Sequence, residues 1–175
     1  MHAMNKIDRK KLTVIPATEP HSKDIWAWRK DPLTRNSSRN TDIVPWESHK
    51  KWFRNFIVTT PLQMYICIDD NGHNLCMVRF DKLTDDVNST EYEISVNLNP
   101  EYRGKRLSTT LVDLAISHFV KQKDGQVSGI TAEIKPSNVA SIKCFSKANF
   151  KPLEAQHHVT EGNGKLSGIK DKCNK

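Results

Sequence analysis

The sequence predicts an α/β fold in which a sheet of about seven strands packs with about four helices. Short alternating or continuous apolar runs predict the strands, and longer segments with apolar residues every three to four positions predict the helices. Gly, Asn, Asp and Pro separate these segments. The chain has 175 residues, of which 37% are hydrophobic and 27% charged. This is typical of one globular domain over residues 1–175, with flexible ends expected at 1–10 and 171–175.

The first predicted elements are a strand and two helices. Residues 13–16 form a short β-like segment, and residues 21–30 form a helix that Asp31-Pro32 is expected to break. After Pro45, apolar residues recur at helical spacing up to Ile57. This pattern predicts a second, amphipathic helix.

Three predicted strands follow in the middle of the chain. The apolar runs 64–68 and 75–80 are separated by Asp69-Asp70-Asn71-Gly72, which is typical of a hairpin turn. Residues 91–98 alternate strictly, with Tyr92, Ile94, Val96 and Leu98 on one face and Glu91, Glu93, Ser95 and Asn97 on the other. The pattern predicts a strand with one polar face.

The last part of the chain continues the alternation of helices and strands. Apolar residues from Leu107 to Phe119 predict a long helix, which a strand at 130–134 follows. Asn138 is a candidate N-cap of a further helix, and Asn149 is a candidate for the left-handed residue that ends it. Two strands at 150–159 and 165–170, joined by an Asn-Gly turn at 161–164, complete the prediction.

Charge and cysteine content limit the partners and the compartment. The chain has 27 Lys and Arg against 20 Asp and Glu, which favours nucleic acid, a phosphate cofactor or a sugar nucleotide as partner. Its four cysteines form no Cys-x-x-Cys pair, so neither a zinc site nor a disulfide framework is indicated. No apolar run reaches the roughly 18 residues of a membrane span. We therefore expect a cytoplasmic protein with reduced thiols and no metal.

The segment from Asn99 to Ser108 carries the clearest functional signal. It joins a predicted strand to a predicted helix, and it contains Gly104 together with three cations, Arg103, Lys105 and Arg106. The N–H groups and the dipole at a helix start attract anions. A basic turn also occurs as an ordinary loop, but this position in the chain favours a pyrophosphate site.

This segment resembles the acetyl-coenzyme A (acetyl-CoA) signature of the GCN5-related N-acetyltransferase (GNAT) family. The signature is Gln or Arg, two residues, Gly, one residue, then Gly or Ala. In this register Glu101 takes the first place, Gly104 is retained, Arg106 replaces the second Gly, and Ser108 takes a nearby small-residue place. The Arg106 side chain either crowds the phosphates or adds a cationic contact to them.

Residues 138–150 resemble a later segment of the same family, which has the pattern Asn, small residue, Tyr, Lys, Gly-Phe. Phe145 stands in place of the Tyr that often protonates the leaving thiolate, and Asn149 stands in place of the Gly. The separation of the two segments also fits. The resemblance therefore covers nearly the whole chain.

The resemblance implies a single-domain GNAT fold with a mixed sheet, acetyl-CoA as co-substrate, and direct attack of a primary amine on the thioester. The backbone of the fourth strand would pair with the pantetheine and polarise the acetyl carbonyl. The implied cofactor-binding residues are Val96, Asn97, Leu98, Arg103, Gly104, Lys105, Arg106, Leu107, Ser108, Asn138, Phe145 and Lys147.

A base is also needed, because an ammonium group is not nucleophilic until a carboxylate or an ordered water removes its proton. Glu93 is the candidate, since it lies in mid-strand on the polar face that it shares with Ser95 and Asn97. Glu91 and Glu133 remain alternatives. Each of these carboxylates also fits a solvent-exposed strand residue.

The amino-terminal half resembles the UDP-4-amino-sugar N-acetyltransferases of pseudaminic acid biosynthesis. The resemblance lies in WRKDP at 28–32, Arg35, Ser38, and WESHKKWF at 46–53. It implies a nucleotide-linked amino sugar as acceptor, because aromatic rings stack on uracil and guanidinium groups bind diphosphate. The candidate substrate contacts are Trp28, Arg29, Arg35 and His49, although Trp28 also fits a core anchor, Arg29 a structural ion pair and His49 a structural role.

Three function classes remain open. The first is acetyl transfer to a nucleotide-linked amino sugar, the second is acetyl transfer to a protein N-terminus or a polyamine, and the third is a coenzyme A binding module without turnover. We expect a small-molecule amine rather than nucleic acid or a membrane as partner. Either a monomer or a homodimer is compatible with the sequence.

Overall fold

The computed structural model describes residues 7–153 and the backbone of residues 164–168. Over these residues, a mixed seven-stranded sheet with the order β1-β2-β3-β4-β5-β7-β6 packs with five α-helices. The strands are β1 (Thr13–Pro16), β2 (Met64–Ile68), β3 (Asn74–Lys82), β4 (Glu91–Leu98), β5 (Gly129–Ile134), β6 (Lys151–Pro152) and β7 (Gly164–Gly168). The helices are α1 (Ser22–Lys30), α2 (Pro32–Ser37), α3 (Trp46–Thr59), α4 (Ser108–Gln122) and α5 (Val139–Lys147).

The sheet is antiparallel except where β4 meets β5. These two strands run parallel because α4 connects them as a crossover. Their pairing includes only three residue pairs, from Glu91 opposite Gly129 to Glu93 opposite Thr131. Beyond this point β5 pairs with β7 on its other side, while β4 continues to Leu98 against β3. The sheet therefore opens between β4 and β5 after Glu93.

Two apolar clusters cover the two faces of the sheet. The larger one includes α4, where Phe119 is fully buried and stacks on Phe80 with ring centroids 4.0 Å apart. The smaller one lies under α1 and α3 and contains Ile25, Trp28 and Phe53. Strand β2 is buried on both faces, which explains why it is apolar at every position rather than alternating.

Helix α2 is the main difference from the sequence prediction, which includes about four helices and interprets Asp31-Pro32 only as a break. The Asp31 carboxylate accepts a hydrogen bond from the Thr34 amide at 3.0 Å, so Asp31 ends one helix and caps the next. Pro32 occupies the first position of α2, where a missing N–H costs nothing. An Asp-Pro pair is thus also a helix start signal.

The carboxyl end of β4 departs from strict alternation. The side chain of Asn97 is buried and donates a hydrogen bond to the Ile25 carbonyl at 3.4 Å, whereas Val96 is 37% exposed. The physical reason is the opening between β4 and β5, which leaves Val96 without a covering layer. Glu93, Ser95 and Asn97 nevertheless share one side of the strand, as predicted.

The chain ends are described only in part. The sequence assigns residues 1–10 to a flexible end, but Arg9–Lys11 form a turn of 3-10 helix and Ile7 packs against the larger core cluster. Strand β6 pairs antiparallel with β7. The predicted turn at 161–164 lies mostly outside the described residues, as do residues 1–6 and 169–175. No helix in the described part of the chain is long and apolar enough to cross a membrane.

Candidate active site

The loop between β4 and α4 has an unusual backbone at the two glycine places of the signature. Gly104 has a φ of +74° and Arg106 a φ of +58°, so both residues adopt the left-handed conformation. Glycine adopts this conformation without penalty, whereas another L-residue pays about 1–2 kcal/mol. Arg106 therefore adopts a conformation that favours glycine at the place where the signature has its second Gly.

The same loop leads directly into the amino terminus of α4. Leu107 occupies the N-cap position and offers no side-chain hydrogen bond, and no acidic residue lies in the first turn. The first N–H groups of a helix have no acceptor within the helix and carry partial positive charge. The start of α4, including Ser108, is therefore suited to an anionic group such as a pyrophosphate.

The side chain of Arg103 fixes this loop to α2. Its Nη2 donates to Asp31 Oδ2 and to Thr34 Oγ1, each at 2.6 Å. The hydrogen bond from Arg103, opposed by partial burial, lowers the pKa of Asp31 from 3.8 to about 2. Lys105, the next cation, extends its ammonium over the Tyr102 ring, 4.3 Å from the ring centre. Arg103 thus positions the loop through α2.

Residues 31–42, which we call the strap, are tied to the strands beside the opening. At its start Asp31 pairs with Arg103, and near its middle the Asn36 carbonyl accepts a hydrogen bond from Lys135 Nζ at 2.9 Å. The third tie is Arg39, which reaches β4 and β5 themselves. The sequence prediction missed the strap because its ties join residues up to 99 positions apart.

Glu93 and Glu133 converge on Arg39 beside the opening. Both carboxylate oxygens of Glu93 lie 2.6 Å from Arg39 Nη2, and Oε2 of Glu133 lies 2.7 Å from the same nitrogen. The two carboxylate side chains are 17% and 16% exposed, whereas the Arg39 side chain is 57% exposed. The structure therefore joins two of the three candidate bases in one ion-pair cluster. The third, Glu91, is exposed at the start of β4.

Arg29 and Arg35 both donate hydrogen bonds to the backbone at the end of the strap. Arg29 donates to the Asn40 carbonyl, and Arg35 Nη1 donates to the Thr41 carbonyl at 3.4 Å. Arg29 Nη1 and Arg35 Nε are buried without a hydrogen-bond partner among the described residues. Burial and the nearby Arg35 charge lower the pKa of Arg29 despite the opposing charge of Asp42. Both guanidinium groups thus bind the backbone of the two residues that follow Arg39.

Trp28 and His49, the other candidate substrate contacts, lie in the smaller core region. Trp28 is 6% exposed, packs in the cluster with Ile25 and Phe53, and borders a cleft of about 470 Å³ on the side of α1. His49 Nε2 lies 2.9 Å from the Ser22 carbonyl, so this nitrogen carries the proton and donates. Burial lowers the pKa of His49, which keeps the ring neutral. These contacts are structural.

The second signature segment builds the start and end of α5. The Asn138 side chain accepts a hydrogen bond from the Ser141 amide at 3.1 Å and caps the helix, and Asn149 takes a φ of +66° after it. Phe145 is buried edge-to-face against Phe150, with ring centroids 4.9 Å apart. Lys147 is exposed in the last turn. Both cap predictions from the sequence are confirmed.

A family profile described as the acetyltransferase (GNAT) domain matches residues 11–151. The chain belongs to the GNAT acetyltransferase family. It has the single-domain α/β GNAT fold and is an acetyl-CoA-dependent N-acetyltransferase. A comparison with curated proteins gives no match.

Solved structures of other acetyltransferases share this GNAT fold. Spermidine N-acetyltransferase from Vibrio cholerae, in complex with CoA and spermine, has a TM-score of 0.75 at 12% identity over 90% of this chain and 95% of its own. An aminoglycoside acetyltransferase in complex with coenzyme A has a TM-score of 0.72 at 17% identity, over 91% and 95%. A GNAT-family acetyltransferase from Bacillus anthracis has a TM-score of 0.71 at 12% identity, over 93% and 97%.

The residues at the opening fit acetyl-CoA. The uncapped start of α4 suits the pyrophosphate, and the edge of β4 at Val96, Asn97 and Leu98 has no β5 partner to compete with an amide-containing pantetheine. No group of three or more candidate metal ligands occurs among the described residues. The acetyl group would then lie near Glu93, which forms the last β4–β5 pair with Thr131.

The tie between Arg103 and Asp31 predicts a pH dependence of stability. The folded state lowers the pKa of Asp31, so the ion pair stabilises the protein fully above the ordinary carboxyl pKa and ceases to do so as the pH falls toward about 2. Urea unfolding should therefore show that the difference in stability between the unmodified protein and Asp31→Asn shrinks between pH 5 and pH 2. A pH-independent difference would contradict this assignment.

The position of Gly104 in the loop before α4 predicts that a carboxylate introduced there weakens acetyl-CoA binding. Gly104→Asp should abolish acetyl-CoA binding in calorimetry, because the substitution places a negative charge where the pyrophosphate would bind. Gly125→Asp is the matched control: Gly125 has the same φ of +74° and equally open surroundings at the other end of α4. Unchanged affinity in folded Gly104→Asp would remove this loop from the site.

Proposed function

We propose that the acceptor is the primary amine of a nucleotide-linked amino sugar. The observation that supports this best is the group of Arg29, Arg35 and Arg39 around the strap, of which Arg39 pairs directly with the candidate base Glu93. An acceptor that joins an amine to a diphosphate would place its amine near Glu93 and its negative charge near these guanidinium groups. The Trp28-to-Pro32 resemblance to UDP-4-amino-sugar N-acetyltransferases agrees with this acceptor.

In the proposed reaction, acetyl-CoA supplies an acetyl group activated as a thioester. The N–H groups of β4 near Val96 to Leu98 would polarise the acetyl carbonyl, and the start of α4 would hold the phosphates. Glu93, directly or through a water, would take the proton from the acceptor's ammonium. Phe145 has no proton to give to the departing thiolate, so the acid is another group or water.

A polyamine acceptor is the second candidate. The observation that favours it is the convergence of Glu93 and Glu133 on one cationic nitrogen, since such a carboxylate pair suits an ammonium group. The fold neighbour from Vibrio cholerae is a spermidine N-acetyltransferase. No described contact favours a protein N-terminus as acceptor. A cytoplasmic location and a monomeric or homodimeric state stay predictions.

The acceptor class is tested by turnover. We expect coenzyme A release with UDP-linked 4-amino sugars to have a kcat/KM at least tenfold above that with spermidine, because the arginine cluster contributes binding only to an anionic acceptor. The same sugars without the nucleotide serve as matched acceptors. Equal rates for the nucleotide-linked and free sugars would contradict the proposal, and preference for spermidine would select the polyamine alternative.

The role of Glu93 is tested by removing its charge. Glu93→Gln should lower kcat by about 10- to 1000-fold, which brackets typical general-base contributions. The remaining rate should rise with pH, because only the fraction of acceptor that is already a free amine reacts. A pH–rate profile of each variant measures both effects.

Two further carboxylates provide the controls for that experiment. Glu91→Gln changes an exposed carboxylate of the same strand and should leave the profile unchanged, and Glu133→Gln should have a smaller effect than Glu93→Gln. A normal pH–rate profile for Glu93→Gln together with a lowered rate for Glu133→Gln would assign the role of the base to Glu133 on β5. Normal profiles for all three variants would assign proton removal to bulk water.

A further inference from the structure

The nitrogen Nη2 of Arg39 occupies a position suited to an acceptor's ammonium group. It lies 2.6 Å from both oxygens of Glu93 and 2.7 Å from Glu133 Oε2. These are the distances of charge-assisted hydrogen bonds, and a protonated amine would form the same contacts at the same place. An incoming cation must therefore displace Arg39 or bind elsewhere.

The charges around this position determine which amines can replace the Arg39 guanidinium group favourably. Glu93 and Glu133 are both mostly buried, so without Arg39 their carboxylates would line an anionic pocket on neighbouring strands. Such a pocket would attract a polyamine, which carries several positive charges. With Arg39 in place, its guanidinium group compensates part of that negative charge, and Arg29 and Arg35, which donate to the carbonyls of Asn40 and Thr41, add positive charge at the end of the strap.

Arg39 is held so that its side chain can move while its backbone stays in place. The residues after it are fixed by the bonds from Arg29 to the Asn40 carbonyl and from Arg35 to the Thr41 carbonyl. The Arg39 side chain itself is 57% exposed. Its guanidinium group is therefore within reach both of the carboxylates and of a ligand that arrives from solvent.

We propose that Arg39 determines acceptor specificity by excluding polyamines from the Glu93–Glu133 pair. This rests on the proposed function, in which the acceptor brings its own negative charge. An amine attached to a diphosphate can take the place of Arg39 at Glu93 and offer its phosphate oxygens to the released guanidinium group. A polyamine offers no such partner, so its entry would leave Arg39 beside additional positive charge.

The experiment compares spermidine binding and spermidine acetylation across variants of Arg39. We expect Arg39→Ala and Arg39→Gln to bind spermidine at least tenfold more tightly in calorimetry than the unmodified enzyme. The kcat/KM for spermidine should rise by a similar factor. Arg39→Lys keeps the positive charge and should behave like the unmodified enzyme. Added guanidinium ion should reverse the gain in Arg39→Ala, whereas it should leave the unmodified enzyme unchanged.

Arg54→Ala is the matched control, because Arg54 also pairs with a carboxylate, Glu19, and is 58% exposed, but lies on α3 away from the opening. Its spermidine affinity should stay unchanged. If both Arg39→Ala and Arg39→Gln fold with an unchanged spermidine affinity, the proposal is wrong. Calorimetry needs no turnover, so this result is independent of whether the unmodified enzyme accepts a sugar nucleotide.

Discussion

The end of the parallel pairing between β4 and β5 is the constraint on which the site depends. After Glu93 and Thr131 the two strands have different partners, β3 for β4 and β7 for β5. This leaves backbone groups of β4 available for a ligand and directs the start of α4 to the same region. It also leaves Glu93 at the last pair and Glu133 two residues beyond it on β5, where both carboxylates reach Arg39. One interruption of the sheet thus creates the candidate places for cofactor, acetyl group and base.

The strap is attached beside this opening by hydrogen bonds and ion pairs of cationic side chains. Each of its three ties joins a cationic side chain to a carboxylate or a carbonyl: Arg103 to Asp31, Lys135 to Asn36, and Arg39 to Glu93 and Glu133. Because Arg103 belongs to the candidate cofactor loop and Asp31 to the strap, one ion pair joins the proposed cofactor side to the proposed acceptor side.

Arg106 shows that a residue with a large side chain can adopt a backbone conformation that favours glycine. Its φ of +58° lies in the left-handed region that favours glycine, and its carbonyl accepts a hydrogen bond from Arg9 at 3.0 Å. This conformation costs an L-residue about 1–2 kcal/mol. Asn149 repeats the same solution after α5, where side-chain amides tolerate this conformation well.

The sequence by itself determined the first five strands, four of the helices, both cap residues of α5 and the glycine loop, because periodicity, capping and turn chemistry act over short stretches of chain. Of the predicted strand at 150–159, the described residues include a strand only at Lys151–Pro152. It also identified the family through two local segments. Only the tertiary structure decided that Arg39 joins Glu93 to Glu133, that Arg103 binds Asp31, and that His49 and Trp28 are packed in the core. These contacts bring together residues far apart in the chain, and the spacing of residues along a sequence carries no information about such pairs.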